Sequence, residues 1–387
     1  MPSGMLVALF AVLIALQAAD TRACREPSPT PSPGPGPSPS PSPPPAGDVF
    51  TTRDGVRFTV ETVAANLDIP WSLAFAPDGR LFVTERPGRV RILDLAARTS
   101  SLALTLDDVF AQGEAGALGL ALDPSFTQNR FVYLHYTARL SAGGGVNRVV
   151  RYREVSGQLA ERAMLIDNIP GATIHDGGRL RFGPDGLLYI TAGDAANTSL
   201  SQDLASPAGK ILRLTRDGAT PPSNPFASPI YSYGHRNPQG IDWHPATGDL
   251  WASEHGPTGN DEINVIETGA NYGWPRIEGS QQMAGMRTPV AFYSPAIAPS
   301  GASFYRGSQF PRFVNNLFVA TLRGQHLLRL TLNGRAIATD ERLLEGRFGR
   351  LRDVVSGPDG YLYLATSNGL RGTADTDDRI LRLVPAP

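Results

Sequence analysis

From residue 50 onward the apolar positions come in short runs of Val, Ile, Leu, Phe and Tyr bounded by Gly, Pro, Asp and Asn, and long amphipathic helices are hard to find. This pattern predicts an all-β chain. One phrase recurs: an apolar strand, a tight turn, a second apolar strand, then a third and often a fourth. It begins at Ser72 (SLAFAPDGRLFVTERPGRVRIL), Leu118 (LGLALDPSFTQNRFVYLHY), Arg179 (RLRFGPDGLLYITAGD), Gly240 (GIDWHPATGDLWASEHG), Asn315 (NNLFVATLRGQHLLRL) and Asp353 (DVVSGPDGYLYLATSN). The P-D-G turns have a mechanical reason, since proline presets one turn angle and glycine accepts the positive angle that follows. Six such hairpins, spaced irregularly at about 50 residues, predict a six-bladed β-propeller with four-stranded antiparallel blades over residues 49–387. A β-sandwich with repeated hairpins is the alternative.

The first 48 residues follow other rules. Residues 1–24 carry an apolar run from Met5 to Ala19, short for a bilayer span and the right size for the core of an export signal, although no Lys or Arg precedes it. Cys24 is the only cysteine, which excludes an intrachain disulfide. Its place at the end of the signal resembles a bacterial lipoprotein attachment site, with Thr21, Arg22 and Ala23 where an aliphatic and two small residues are usual; lipidation and simple cleavage remain alternatives. Residues 25–48 are rich in Pro and Ser and read as a disordered tether. The expectation is an exported protein, periplasmic or extracellular, touching a membrane only through a lipid on Cys24. A formal net charge of -1 gives no electrostatic footprint for nucleic acid and points to a small or uncharged partner.

Where two antiparallel strands share a turn, the residue leading into the first and the residue leaving the second meet at the opposite end. In a propeller the first strand of each blade lines the central channel, so these corners gather at one mouth. Ahead of the first strands stand Trp71, Glu114, His175, Arg236 with Asn237, the segment 295–303, and Arg350 with Arg352. After the second strands stand Glu85, His135, Asp194, Glu254 with His255, Gly256 and Pro257, Arg323, and Asn368. Arginines, carboxylates and histidine converging from different blades make a polar pocket suited to an anionic ligand. His175 and Asp194 have the form of a general base and the carboxylate that fixes its tautomer.

The stretch 231–275 is rich in Gly and Pro and carries the acidic pair Asp261 and Glu262, which offers carbonyl and carboxylate oxygens of the kind calcium prefers. It contains no EF-hand loop, and histidines at zinc spacing are absent. G-x-S-x-G, Walker and Rossmann signatures are also absent.

In IHDGGRL, GHRNPQG, EHGPTGNDEIN with NYGWP, and GRLRDV, the sequence resembles the soluble sugar dehydrogenases that use pyrroloquinoline quinone (PQQ), most of all the shorter aldose sugar dehydrogenases, over residues 50–385. The resemblance implies a six-bladed propeller with PQQ at the channel mouth. It implies His175 as the base that takes the anomeric hydroxyl proton, Asp194 orienting it, Arg236 over the quinone oxygens, and Asn237 as a neighbouring cofactor contact. Gly256 and Pro257 would bind, through their carbonyls, the calcium that also grips PQQ. Arg350 and Arg352 would hold its carboxylates, and Glu262 and Tyr272 a second, structural calcium. Three positions depart from the family pattern: Arg323 replaces a lysine, Glu114 a glutamine at substrate or cofactor, and Ala296 a hydroxyl residue. Short inter-blade loops point to a permissive sugar site and a monomer. The partners expected are a sugar and an external electron acceptor. Rival readings are a calcium-dependent lactonase and a propeller that binds without catalysis.

Overall fold

The computed structural model describes residues 48–369 and 378–387; residues 1–47, with the expected export signal, Cys24 and nearly all of the tether, lie outside the described residues. Six antiparallel sheets are present. Their innermost strands are Pro70–Phe75, Ala117–Leu122, Leu180–Phe182, Pro238–Trp243, Pro299–Phe304 and Leu351–Ser356, which define blades 1 to 6. Successive blades meet through their inner strands or, between blades 3 and 4, through the second strand of blade 3 and the inner strand of blade 4, and blade 6 returns to blade 1, so the sheets form a closed ring rather than a sandwich. Among the described residues no helix is long and apolar enough to cross a membrane.

The apolar runs are continuous because both faces of the second strands are covered. Leu81–Glu85, Leu188–Ala192, Leu250–Glu254, Leu317–Thr321 and Leu362–Thr366 are buried at every position. The core is correspondingly divided among the blade interfaces. Phe82, Val90, Leu134 and Tyr136 pack between blades 1 and 2, and Trp251, Phe304 and Val319 between blades 4 and 5. The P-D-G turns place Gly79, Gly186 and Gly360 at φ of 87°, 73° and 83°, where glycine is favoured.

Blade 6 closes the ring. Its three C-terminal strands are completed by the N-terminal strand Arg57–Leu67, paired from Phe58 opposite Pro385 to Leu67 opposite Asp378, with the two-residue strand Phe50–Thr51 added outside. Joining both ends of the domain in one sheet ties opening of the ring to loss of a whole strand pairing.

Blade 5 corrects the sequence reading. The hairpin beginning at Asn315 supplies its second and third strands, Leu317–Thr321 and Leu327–Asn333, whereas the inner strand is Pro299–Phe304. That strand escapes an apolar search because the channel is crowded: a Cβ on Gly301 would stand 1.9 Å from Asp353 Oδ1. Small residues are required there instead of Val or Ile.

A polar layer blocks the channel at mid-height. Arg179, fully buried, donates to Asp353 Oδ2 (3.0 Å), to the Gln239 carbonyl (2.9 Å) and to Ser72 Oγ (3.2 Å), and its guanidinium lies 4.4 Å from the Trp71 ring. Asp353 Oδ2 also accepts the Leu73 N–H (2.9 Å), so blades 1, 3, 4 and 6 are tied at one point. Below this layer the six turns enclose a vestibule of about 1090 Å³; above it lies the mouth where the corner residues gather.

Breaking a buried ion pair from one side strands the other charge and costs about 3–5 kcal/mol. Arg179→Met is therefore expected to lower the unfolding free energy by that amount, and Arg179→Met/Asp353→Asn to recover part of it. Urea unfolding of the two variants checks this.

Candidate functional site

The segment 171–179 leading into blade 3 is not strand, which frees His175 from sheet geometry. His175 has φ of 63°, an uncommon value for a residue with a side chain, and the surrounding backbone enforces it. A Cβ on Gly193 would lie 1.9 Å from the His175 carbonyl oxygen, so the two chain segments approach as only glycine permits. The imidazole Nδ1 is 2.8 Å from Asp194 Oδ1; Asp194 is wholly buried and the His175 side chain 13 % exposed. Nδ1–H therefore donates to the carboxylate, and Nε2 keeps its lone pair on the open side.

Neighbouring blades complete the wall. Glu114, ahead of blade 2, accepts the His175 N–H at 3.3 Å through Oε2. Asn237, ahead of blade 4, accepts the Gly177 N–H at 3.0 Å through Oδ1. Arg236 donates its backbone N–H to Glu254 Oε1 and Nη1–H to the His255 carbonyl (3.2 Å). Burial pulls the Arg236 guanidinium below its usual range, opposed by the charges of Asp194, Glu254, Glu114 and Asp261. Glu114, Arg350, Arg352, Gln239 and Leu322 line one small cavity of about 30 Å³. Arg352 donates to Gln239 Oε1 (2.9 Å) and lies 5.6 Å from the Trp71 ring. Burial, and then repulsion from Arg350, push it down to about 9, with Arg179 and Arg86 adding to that repulsion.

Four polar atoms of this wall are buried without a hydrogen-bond partner: Arg236 Nε, Asn237 Nδ2, His255 Nε2 and Arg352 Nε. Each is desolvated at a cost of about 1–3 kcal/mol when no partner is supplied. Their convergence on one mouth is the chemistry of a site for a flat, acceptor-rich anion.

Beside it, Gly256, Pro257, Glu262 and Tyr272 line a second cavity, of about 10 Å³, with Glu254, Glu278 and Trp274. The carbonyls of Gly256 and Pro257 accept no hydrogen bond among the described residues. Glu262 is pushed up to about 8 by burial and then by Glu254, and Glu278 Oε2 is buried without a partner. Tyr272 does not offer its hydroxyl, which donates to the Val265 carbonyl (2.6 Å) and accepts the Glu267 N–H (2.8 Å). Only its main-chain carbonyl is left for a cation. Among the described residues no three His, Cys, Asp or Glu side chains form a metal cluster, so any cation here relies on carbonyls as well as carboxylates.

Arg323 is exposed, on the bend that follows the strand Leu317–Thr321 and beside Leu322, which lines the small cavity with Glu114, Arg350 and Arg352. Other corner residues go elsewhere. Glu85 is committed to Arg89 (2.7 Å) and Arg91 (2.8 Å). His135 is sealed with neither ring nitrogen paired. Gln239 and Trp274 carry contacts that no spacing rule had singled out; the signal available was their place within GHRNPQG and NYGWP. Ser232, His235 and Glu254 are linked at 2.9 Å and 2.9 Å in the order of a hydrolase triad, yet Ser232 and His235 are fully buried and present no nucleophile to solvent.

The glucose/sorbosone dehydrogenase profile matches residues 67–373. The chain belongs to that family. It is 35 % identical over 332 residues to the aldose sugar dehydrogenase YliI of Escherichia coli, covering 79 % of this chain and 89 % of the relative. It is 26 % identical over 428 residues to quinoprotein glucose dehydrogenase B of Acinetobacter calcoaceticus, covering 85 % and 89 %. The PQQ-bound form of the aldose sugar dehydrogenase from Streptomyces coelicolor superposes with a TM-score of 0.77 at 39 % identity, over 84 % of this chain and 98 % of that one. The family assignment and the propeller agree with the expectations drawn from the sequence.

Burial holds His135 down to about 3, from 6.5, as a neutral imidazole. Between those values the unfolded chain binds the extra proton, so falling pH removes about 1.4 kcal/mol per pH unit from the wild type. His135→Leu is expected to flatten the loss of stability between pH 6.5 and 4.5, measured by urea unfolding at each pH.

Proposed function

We propose that this sugar dehydrogenase oxidises the anomeric carbon of aldoses to lactones with PQQ and calcium, and passes the electrons to an external acceptor. The observation that carries the reading is the set of four buried, unpartnered polar atoms around the mouth, three of them on cationic or ring nitrogens. A quinone bearing carboxylates fits that set, and Arg350, Arg352, Asn237, Arg236 and Glu114 are the side chains that would hold it. Gly256 and Pro257 would supply carbonyls to a calcium beside it, and Glu262 with the Tyr272 carbonyl to a second. When bound, PQQ supplies a two-electron acceptor and calcium supplies Lewis acidity.

The chain's own part is proton handling and charge placement. His175 Nε2 takes the anomeric hydroxyl proton, and Asp194 stabilises the imidazolium that results. The sugar loses that proton together with the hydrogen and electron pair of its C1–H bond, which leaves the lactone. Arg236, half-buried, presents fixed positive charge where negative charge develops. Glu114 beside the base and Arg323 in place of a lysine make the sugar pocket differ from the family pattern, while Ala296 removes a hydroxyl near the cofactor. Residues 1–24 and the tether support export, and short loops support a monomer.

Adding PQQ and calcium to the protein is expected to change the quinone absorption spectrum and to start dye reduction with several aldoses. His175→Ala should keep quinone binding and lose kcat by about 10²–10⁴-fold. Arg352→Gln should weaken quinone binding by about ten- to a hundredfold. A protein that neither perturbs the quinone spectrum nor reduces dye with any sugar contradicts the reading, and lactone hydrolysis without PQQ would replace it with the hydrolase alternative.

A further inference from the structure

Asp194 holds the base, and one residue from another blade completes the hold on Asp194. Its Oδ1 accepts His175 Nδ1–H (2.8 Å) and the Ala196 N–H (2.9 Å). Its Oδ2 accepts the indole N–H of Trp274 at 2.9 Å. Trp274 follows the blade 4 strand Asp261–Ile266, so this bond crosses from blade 4 to the site residue of blade 3. The same indole faces the site's cation, with the Arg236 guanidinium 5.4 Å from its ring centroid. Trp274 is itself anchored on both sides of its backbone, its N–H to the Gly234 carbonyl (2.9 Å) and its carbonyl to Gln202 Nε2 (2.7 Å).

We infer that Trp274 is a positioning residue for the reaction, its N–H fixing the plane and charge of Asp194 while its ring face seats Arg236. The assignment rests on the dehydrogenase reading. One side chain thereby sets both the orientation of the proton acceptor and the place of the positive charge. The direction of its effect follows from electrostatics. A carboxylate that shares its charge with a second donor is a weaker partner for imidazolium, so removing the indole N–H concentrates charge on Asp194 and raises the proton affinity of His175. The other charged groups around His175 are Glu114 from blade 2 and Arg236 from blade 4, and neither is altered by that removal. Asp176, next in the chain, is turned to the Ala172 N–H and Asn147.

Trp274→Phe keeps an aromatic face under Arg236 and deletes the donor. Benzothienylalanine at position 274 does the same with the original shape and guards against a packing defect. The His175 ring is titrated by NMR in the full chain without quinone, and kinetics are then measured with PQQ and calcium. The expected result is a His175 midpoint raised by about half a pH unit or more, with the acid limb of kcat/KM moving the same way. A kcat lowered about tenfold with KM within twofold is expected alongside. An unmoved midpoint and acid limb, whether or not stability falls, overturn the inference. Because the titration needs no cofactor, it reports on the Trp274, Asp194 and His175 coupling even if the chain proves not to oxidise sugars.

Discussion

The structure depends on one buried knot. Six sheets around a common axis need something at the centre that cannot be apolar throughout, because the inner strands turn backbone and short side chains toward one another. Arg179 and Asp353 meet this need: their ion pair at 3.0 Å draws in Ser72, the Leu73 N–H and the Gln239 carbonyl, and Trp71 covers the guanidinium at 4.4 Å. The same layer is the floor on which Arg352 stands, through Gln239, so the element that locks the blades also fixes the base of the mouth.

Above the floor the molecule tolerates an electrostatic cost. Arg352 is buried and repelled by Arg350, Arg179 and Arg86, and several neighbouring donors have no acceptor among the described residues. Packing at six blade interfaces and the shared sheet of blade 6 supply the stability that permits this arrangement. The histidine is held in the opposite sense: a left-handed backbone at His175, a glycine at 193 that alone allows the close approach, and a carboxylate with every oxygen engaged. Charge is thus poised for a ligand, while the base is fixed before a ligand arrives.

How much of this the sequence reveals depends on the range of the interaction. The P-D-G turns and the paired apolar runs are local, and they expose the propeller and most of its blades. The corner rule places His175 against Asp194 and brings Glu114, Arg236, Asn237, Arg350 and Arg352 to one mouth, because hairpin geometry is fixed by backbone pairing. It fails where partners are chosen by tertiary packing: Glu85 is claimed by Arg89 and Arg91, and His135 is sealed. The blade 5 inner strand is hidden because crowding selects Ser and Gly over apolar residues. Trp274 lies within a quoted motif, yet its bond to Asp194 spans 80 residues and two blades, and no spacing rule contains it.

The central claim is that the unpaired polar atoms of the mouth await an acidic quinone. A crystal structure of the protein grown with PQQ and calcium tests it most directly. The account predicts quinone or carboxylate oxygens, or the ring nitrogen, within hydrogen-bond reach of Arg236 Nε, Asn237 Nδ2, His255 Nε2 and Arg352 Nε, on the same side as His175 Nε2. Quinone seated in the vestibule on the far side of the Arg179 layer, with those four atoms bound only to water, would contradict it.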